Sequence, residues 1–108
     1  MELKKVEERA LEIRELYRQL EMKKYGREWT AEEIGLGFVG DVGDLMKLLI
    51  AKSGVRAIAE VDSKLEHELS DCLWSVLILA RMYNIDIEKV FSETMDQLEL
   101  KVGKLLSE

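Results

Sequence analysis

Proline is absent from this chain, cysteine and histidine occur once each, and basic residues are outnumbered 16 to 22 by acidic ones. Each shortage closes off something. Without proline, and with 47% apolar residues, the composition is not that of a disordered segment. A lone cysteine allows no internal disulfide. Cys72 sits in Asp-Cys-Leu-Trp-Ser-Val with no oriented histidine in evidence, which makes it a small buried hydrophobe rather than a nucleophile. A lone histidine, His67, denies the chain the paired E-x-x-H motifs of a di-iron bundle, and no zinc spacing is present. The net charge of −6 argues against a nucleic-acid polymer held through its phosphates. A small phosphorylated ligand stays open, because bound cations reverse the local potential. There is no Walker A loop and no glycine-rich dinucleotide fingerprint. The uncharged stretch Cys72 to Ala80 is too short to span a bilayer, and the charged N-terminal stretch lacks the apolar core of a signal peptide. The expectation is a soluble, cytoplasmic protein without membrane partners.

What is present is helical periodicity. A chain of 108 residues reads as a single domain, 1–108, able to bury roughly two-thirds of its unfolded surface. Leu3, Val6, Ala10, Ile13, Leu16, Tyr17 and Leu20 recur at spacings of three and four, predicting a first helix over 3–24 with a charged outer face. Gly26 stops it. Thr30 with Glu33 three residues later is a capping box that starts a second helix over 31–52. Gly35, Gly37, Gly40 and Gly43 fall inside it. Each costs roughly 0.5–1 kcal/mol against alanine, so the series marks either a break or a close approach by another backbone or a ligand. Ser53-Gly54 ends this helix, and a third is predicted over 56–83, with Asp62-Ser63 a second candidate start. Its C-terminal half, CLWSVLILA, is apolar on nearly every side. Four short helices can hardly cover such a segment, which predicts a homo-oligomer. Asp86 caps a fourth helix over 87–106. Nothing alternates long enough to demand a sheet. The fold class expected is all-α, a four-helix bundle.

Two acidic couplets stand out on this framework, Asp41-x-x-Asp44 and Glu68-x-x-Asp71. Residues three apart share a helix face, and both couplets border core sequence. Their helices are consecutive and joined by a short link, so they should pack antiparallel and let the four acids converge. Converging carboxylates repel one another unless a cation compensates them. Mg²⁺, or Mn²⁺, takes oxygen ligands and keeps waters that a substrate's phosphates can displace. His67 is adjacent to Glu68 and therefore points about 100° away from it, which reads as a solvated or interface histidine. Trp29 and Trp74 are available to stack on a base; for Trp74, packing in the core or between subunits competes.

The stretch Arg27-x-Trp29-Thr30-x-Glu32-Glu33-x-x-Leu36-Gly37-x-Val39-x-Asp41-Val42-Gly43-Asp44-Leu45, with His67-Glu68-Leu69-Ser70-Asp71-Cys72-Leu73, resembles the MazG-like nucleoside triphosphate pyrophosphohydrolases. These belong to the all-α NTP pyrophosphatase superfamily. Their pattern is E-x-x-E, a gap, then E-x-x-D; here 23 residues separate the couplets, within the usual gap. Asn84-Ile85-Asp86-Ile87 resembles the family's turn into its last helix, so the likeness covers about residues 27–98. It implies a MazG-like bundle forming a homodimer or homotetramer. It also implies Mg²⁺-dependent cleavage of a nucleoside triphosphate between its α- and β-phosphates, releasing monophosphate and pyrophosphate. By the same likeness Asp41, Asp44, Glu68 and Asp71 are the metal ligands and catalytic acids, one of them or a neighbouring carboxylate positioning the attacking water. Two departures are visible. Aspartates replace the usual glutamates at 41 and 44, each a methylene shorter. On the last helix Leu98 stands where asparagine is usual, leaving Lys101, with Lys104 nearby, as the basic candidate for substrate contact. These departures motivate the alternatives: a non-catalytic helical assembly protein, or a nucleotide or metal sensor that keeps the fold.

Overall fold

A computed structural model of the chain describes residues 2–108. Among them the chain forms four α-helices and no strand: α1 Leu3–Tyr25, α2 Ala31–Lys52, α3 Val61–Met82 and α4 Ile87–Leu106. The helix ends follow from local chemistry. Gly26 adopts a left-handed conformation (φ 73°), and its N–H donates to the Met22 carbonyl, closing α1 behind Lys23 and Lys24. The Thr30 hydroxyl accepts the Glu33 N–H at 3.2 Å while the Glu33 carboxylate accepts the Thr30 N–H at 3.1 Å, so the expected capping box is formed. Arg27 adds a two-pronged contact to Glu33 (2.6 and 3.0 Å). This fork, followed by the Thr30 N–H, holds the Glu33 carboxyl down at about 2.

The glycine series does not break α2, which is continuous across it. A methyl group added at Gly35, Gly37, Gly40 or Gly43 would meet nothing within 4 Å, so no other backbone of this chain crowds them. The helix closes in a Schellman turn, with Gly54 at φ 88° and hydrogen bonds from Gly54 N to Ala51 O and Val55 N to Ile50 O. The third helix departs from the expected 56–83. It begins five residues later, at Val61, behind Glu60 in the left-handed region (φ 55°). The stretch after Gly54 has to turn the chain back, and Ile58 is partly buried there. Lys52 then ties the end of α2 to the start of α3 through Asp62 at 2.7 Å. Asn84, at φ 57°, closes α3 in a second Schellman turn, with Ile85 N to Ala80 O at 2.8 Å. Asp86 caps α4 through the Lys89 N–H at 3.2 Å.

The core gathers Ala10, Ile34, Leu77 and Ile78, with Leu3, Val6, Leu11, Trp74, Leu79 and Ile87 packed around it. α2 packs against α3 as the principal interface and α1 against α3 as the second. α4 is anchored by Ile87 in its first turn and carries no buried residue. The radius of gyration is 17.4 Å, against about 13 Å for a compact chain of this length. Phe91, Met95, Leu98, Val102 and Leu105 form an exposed apolar stripe on α4 at alternating spacings of four and three. Leu69, Leu73 and Val76 repeat that pattern on α3, and Val39, Val42, Met46 and Leu49 do so on α2. No helix among the described residues is long and apolar enough to cross a membrane.

Ile78 is the most completely enclosed large side chain, 1% exposed. Ile78→Ala is expected to destabilise the protein by about 2–5 kcal/mol and Ile78→Val by about 0.5–1.5, read from urea midpoints at a fixed protein concentration. Equal midpoints for the two variants would place the core elsewhere.

Candidate active site

α2 and α3 bring Asp41, Asp44 and Glu68 together, one carboxylate oxygen from each lying within 4.8 Å of the others. Asp71, one turn further along α3, stands outside this trio and lines the adjoining cleft instead. Glu68 is the most constrained of the acids. Its Oε1 is buried and has no hydrogen-bond partner among the described residues. Burial pushes its carboxyl above the ordinary carboxylate range, followed by a side-chain hydrogen bond with Asp41 and then by the charges of Asp41, Asp71 and Asp44. An orphaned buried oxygen among converging carboxylates fits a hard divalent cation, which takes oxygen ligands and cancels their repulsion. Asp41, Asp44 and Glu68 are the residues that could hold it. His67 does not join them: it is exposed, with Nε2 3.2 Å from Asp71 Oδ2 one turn away. Cys72 is half-buried, and burial, then Asp41, raises its thiol, which keeps it protonated and inert.

Beside the trio opens a cleft of about 380 Å³ walled by Tyr17, Tyr25, Trp29 and Trp74, with Asp41 and Asp71 at its acidic edge. Trp74 serves both purposes weighed for it. Its Nε1 donates to the Ala10 carbonyl at 3.1 Å, and its ring meets Tyr17 edge to face at 5.9 Å, while part of its surface lines the cleft. Trp29 is 41% exposed at the mouth. Lys101 stands on the outer part of α4, well beyond the Ile87 anchor, on a helix that carries no buried residue.

Two residues that sequence reading passed over set the position of Trp29. Glu21 is buried (4% exposed) on α1, and Arg14 grips it with two hydrogen bonds of 2.7 and 3.1 Å. Glu21 also accepts the Trp29 N–H at 2.8 Å, and Arg14 reaches the Trp29 carbonyl at 3.4 Å. Both backbone groups of Trp29 are therefore tied to α1. Arg14, then the Trp29 N–H, lowers the Glu21 carboxyl below its ordinary value. A signal was available: Ala10, Arg14, Tyr17 and Glu21 follow spacings of four, three and four, which puts two opposite charges on the inward face of α1.

Residues 41–102, more than half of the chain, match the family model described as the MazG nucleotide pyrophosphohydrolase domain. No curated protein and no solved structure matches the chain. The matched segment contains both acidic couplets. It begins at Asp41, so Trp29 and the α1 wall of the cleft lie outside it.

The Glu68 environment gives a stability signature. The raised carboxyl means that the folded protein holds this proton to higher pH than the unfolded chain does. Stability of the metal-free protein therefore falls as pH rises from the ordinary carboxylate value through the raised one. Glu68→Gln is expected to remove that contribution, and Mg²⁺ to raise the Tm of the parent but not of the variant. Thermal unfolding of both proteins from about pH 4 to about pH 8, in EDTA and in Mg²⁺, checks this. Parallel pH profiles with equal Mg²⁺ shifts would dismiss Glu68 as the strained member of the cluster.

Proposed function

Because the chain belongs to the MazG nucleotide pyrophosphohydrolase family, we propose that it is a metal-dependent enzyme of (deoxy)nucleoside triphosphates. It cleaves the α–β phosphoanhydride to give a nucleoside monophosphate and pyrophosphate. The observation that carries this reading is the trio Asp41, Asp44 and Glu68, with its unpartnered buried oxygen, set at the edge of an aromatic cleft.

In this reading Asp41, Asp44 and Glu68 hold Mg²⁺ or Mn²⁺, and Asp71 completes the acidic lining. When bound, the ion supplies charge stabilisation for the phosphoryl group under attack and makes water easier to deprotonate. The protein's own groups do the rest. Trp29 and Trp74 stack on the base, held by the Arg14–Glu21 clamp and the Ala10 carbonyl respectively. A carboxylate of the cluster takes the proton of the attacking water as a new P–O bond forms. The bridging P–O bond breaks and its electron pair leaves with pyrophosphate. Aspartates at 41 and 44, each a methylene shorter than glutamate, would hold such an ion nearer the α2 backbone.

The apolar stripes on α2, α3 and α4 support a homodimer or homotetramer, and within that assembly Lys101 would reach a site from a neighbouring copy. A stripe alternating by four and three is the seam that a facing helix fills. Conversely, a helical assembly protein or a sensor without turnover would show these stripes and acids but release no product. The cytoplasm is the compartment that fits this reading.

Pyrophosphate release across a panel of canonical and damaged ribo- and deoxynucleoside triphosphates, in Mg²⁺, Mn²⁺ or EDTA, is expected to be metal-dependent and to yield monophosphate. Asp44→Ala and Glu68→Ala should each lower turnover by about 100-fold or more with helicity unchanged by circular dichroism. Turnover at the parent's rate in either variant would rule out a shared metal site. Met95→Glu with Leu98→Glu should convert the assembly to a smaller species in light scattering; an unchanged mass would remove α4 from the interface.

A further inference from the structure

The groove between α2 and α3 changes character along its length, and the change gives it a direction. Because the two helices are antiparallel, rising numbers on α2 meet falling numbers on α3. At one end, Asp41 on α2 and Asp71 and Trp74 on α3 border the aromatic cleft. At the other, Asp44 and Lys47 on α2 and Lys64 and Glu68 on α3 line a second cleft of about 340 Å³. The acids lie between. Lys47 follows Asp44 by three residues, and Lys64 precedes Glu68 by four, so each lysine stands about one turn, roughly 5 Å, beyond the acid on its own helix.

These two cations are uncommitted. Lys47 stands 3.9 Å from Asp44, with both side chains well exposed, a pairing of little strength. Lys64 is exposed and makes no ion pair among the described residues. The aromatic cleft offers less. Its guanidinium, Arg14, is spent on Glu21 and the Trp29 carbonyl, leaving Lys24, in the last turn of α1, as its other cation. An anion with several oxygens therefore meets a pair of free lysines only at the far end of the groove, against the single Lys24 of the aromatic cleft. Asp44 and Glu68 face that same end and by themselves repel an anion. A divalent cation held by these acids would offset that repulsion and leave the lysines for the remaining oxygens.

Resting on the pyrophosphohydrolase reading above, we propose that the substrate lies along this groove in one direction. Its nucleoside points to Trp29 and Trp74, and its departing diphosphate is held by Lys47 and Lys64. This second cleft is then a pyrophosphate site, distinct from the base site at the other end of the acids. Lysine suits the role, since its three donors turn toward any phosphate oxygen.

Isothermal titration calorimetry of the full chain in Mg²⁺, with inorganic pyrophosphate and with a nucleoside monophosphate as separate probes, tests the assignment. Lys47→Gln with Lys64→Gln is expected to weaken pyrophosphate by about tenfold or more and to leave the monophosphate within about twofold. Trp29→Ala should do the reverse, consistent with the stacking contribution of one aromatic. Lys4→Gln with Lys5→Gln, the same charge change on the first turns of α1, should leave both probes unaffected. Lys47→Arg with Lys64→Arg should restore pyrophosphate binding. The direction is overturned if the glutamine pair weakens the monophosphate instead, if the α1 pair weakens pyrophosphate equally, or if the parent does not bind pyrophosphate. The two readings separate cleanly. Lysine-dependent pyrophosphate binding without hydrolysis of any triphosphate leaves the site standing and removes the enzyme; hydrolysis with lysine-independent pyrophosphate binding does the opposite.

Discussion

The interface between α2 and α3 is the largest in the chain, and it closes over a carboxylate oxygen with nothing to bond to. A buried, unpaired acceptor costs about 1–3 kcal/mol, more when its neighbours carry the same charge. Glu68 Oε1 carries that cost, with Asp41 and Asp44 converging on it. A sequence selected only to hold the helices together would place an apolar pair there, as it does at Ile34 and Ile78 a short distance away. The strain is concentrated at one point of an otherwise ordinary interface. An oxygen-preferring divalent cation is a partner that fits there.

The aromatic cleft depends on a second, quite different electrostatic device. Arg14 and Glu21 form an enclosed pair in which the acceptor capacity of the carboxylate is used twice by the guanidinium and once by the Trp29 N–H. Satisfied in this way, a buried ion pair need not stabilise the fold to be useful, because it fixes geometry. It fastens the α1–α2 connection at Trp29 while the Arg27–Glu33–Thr30 arrangement fixes the first turn of α2 just beyond it. One charge cluster in the molecule is left short of partners and one is saturated. The first is where a cation fits; the second is what holds a wall still beside it.

Much of this was legible in the residues. Two helix starts were marked, by Thr30 and Asp86, and three stops, by Gly26, Gly54 and Asn84, because caps and left-handed turns are local events with local codes. The start of α3 was expected at Arg56, with Asp62-Ser63 as the second candidate, and the helix begins at Val61, beside the second. Arg56 to Glu60 has the composition of a helix, and only the need to turn the chain back, seen in Glu60 at φ 55°, makes it a loop. The couplets announced themselves by spacing, yet spacing could not reveal that Asp71 would face the aromatic cleft while Asp44 faces the other way. That division depends on how α2 and α3 rotate against each other. The Arg14–Glu21 pair was written in the sequence at heptad spacing, but charges on a charged helix look alike until the core shows which face is inward.

The glycines of α2 connect these observations. Gly37 lines the cleft, and neither it nor Gly40 or Gly43 is demanded by contact within the chain, since an added methyl group would meet nothing there. Glycine in a helix interior sacrifices roughly a kcal/mol at each position, so a helix carrying four without crowding is forgoing stability for another reason. Around Asp41 and Asp44 they leave the helix surface low. Short acids on a low surface leave open space close to the α2 backbone, which longer neighbours would fill. The same bareness continues into the exposed apolar stripe of Val39, Val42 and Met46 on the next face. The helix that carries half of the acids is thus stripped around those acids and apolar on its outer side. A chain left this open, at 17.4 Å radius of gyration, keeps much of its apolar surface out of its own core.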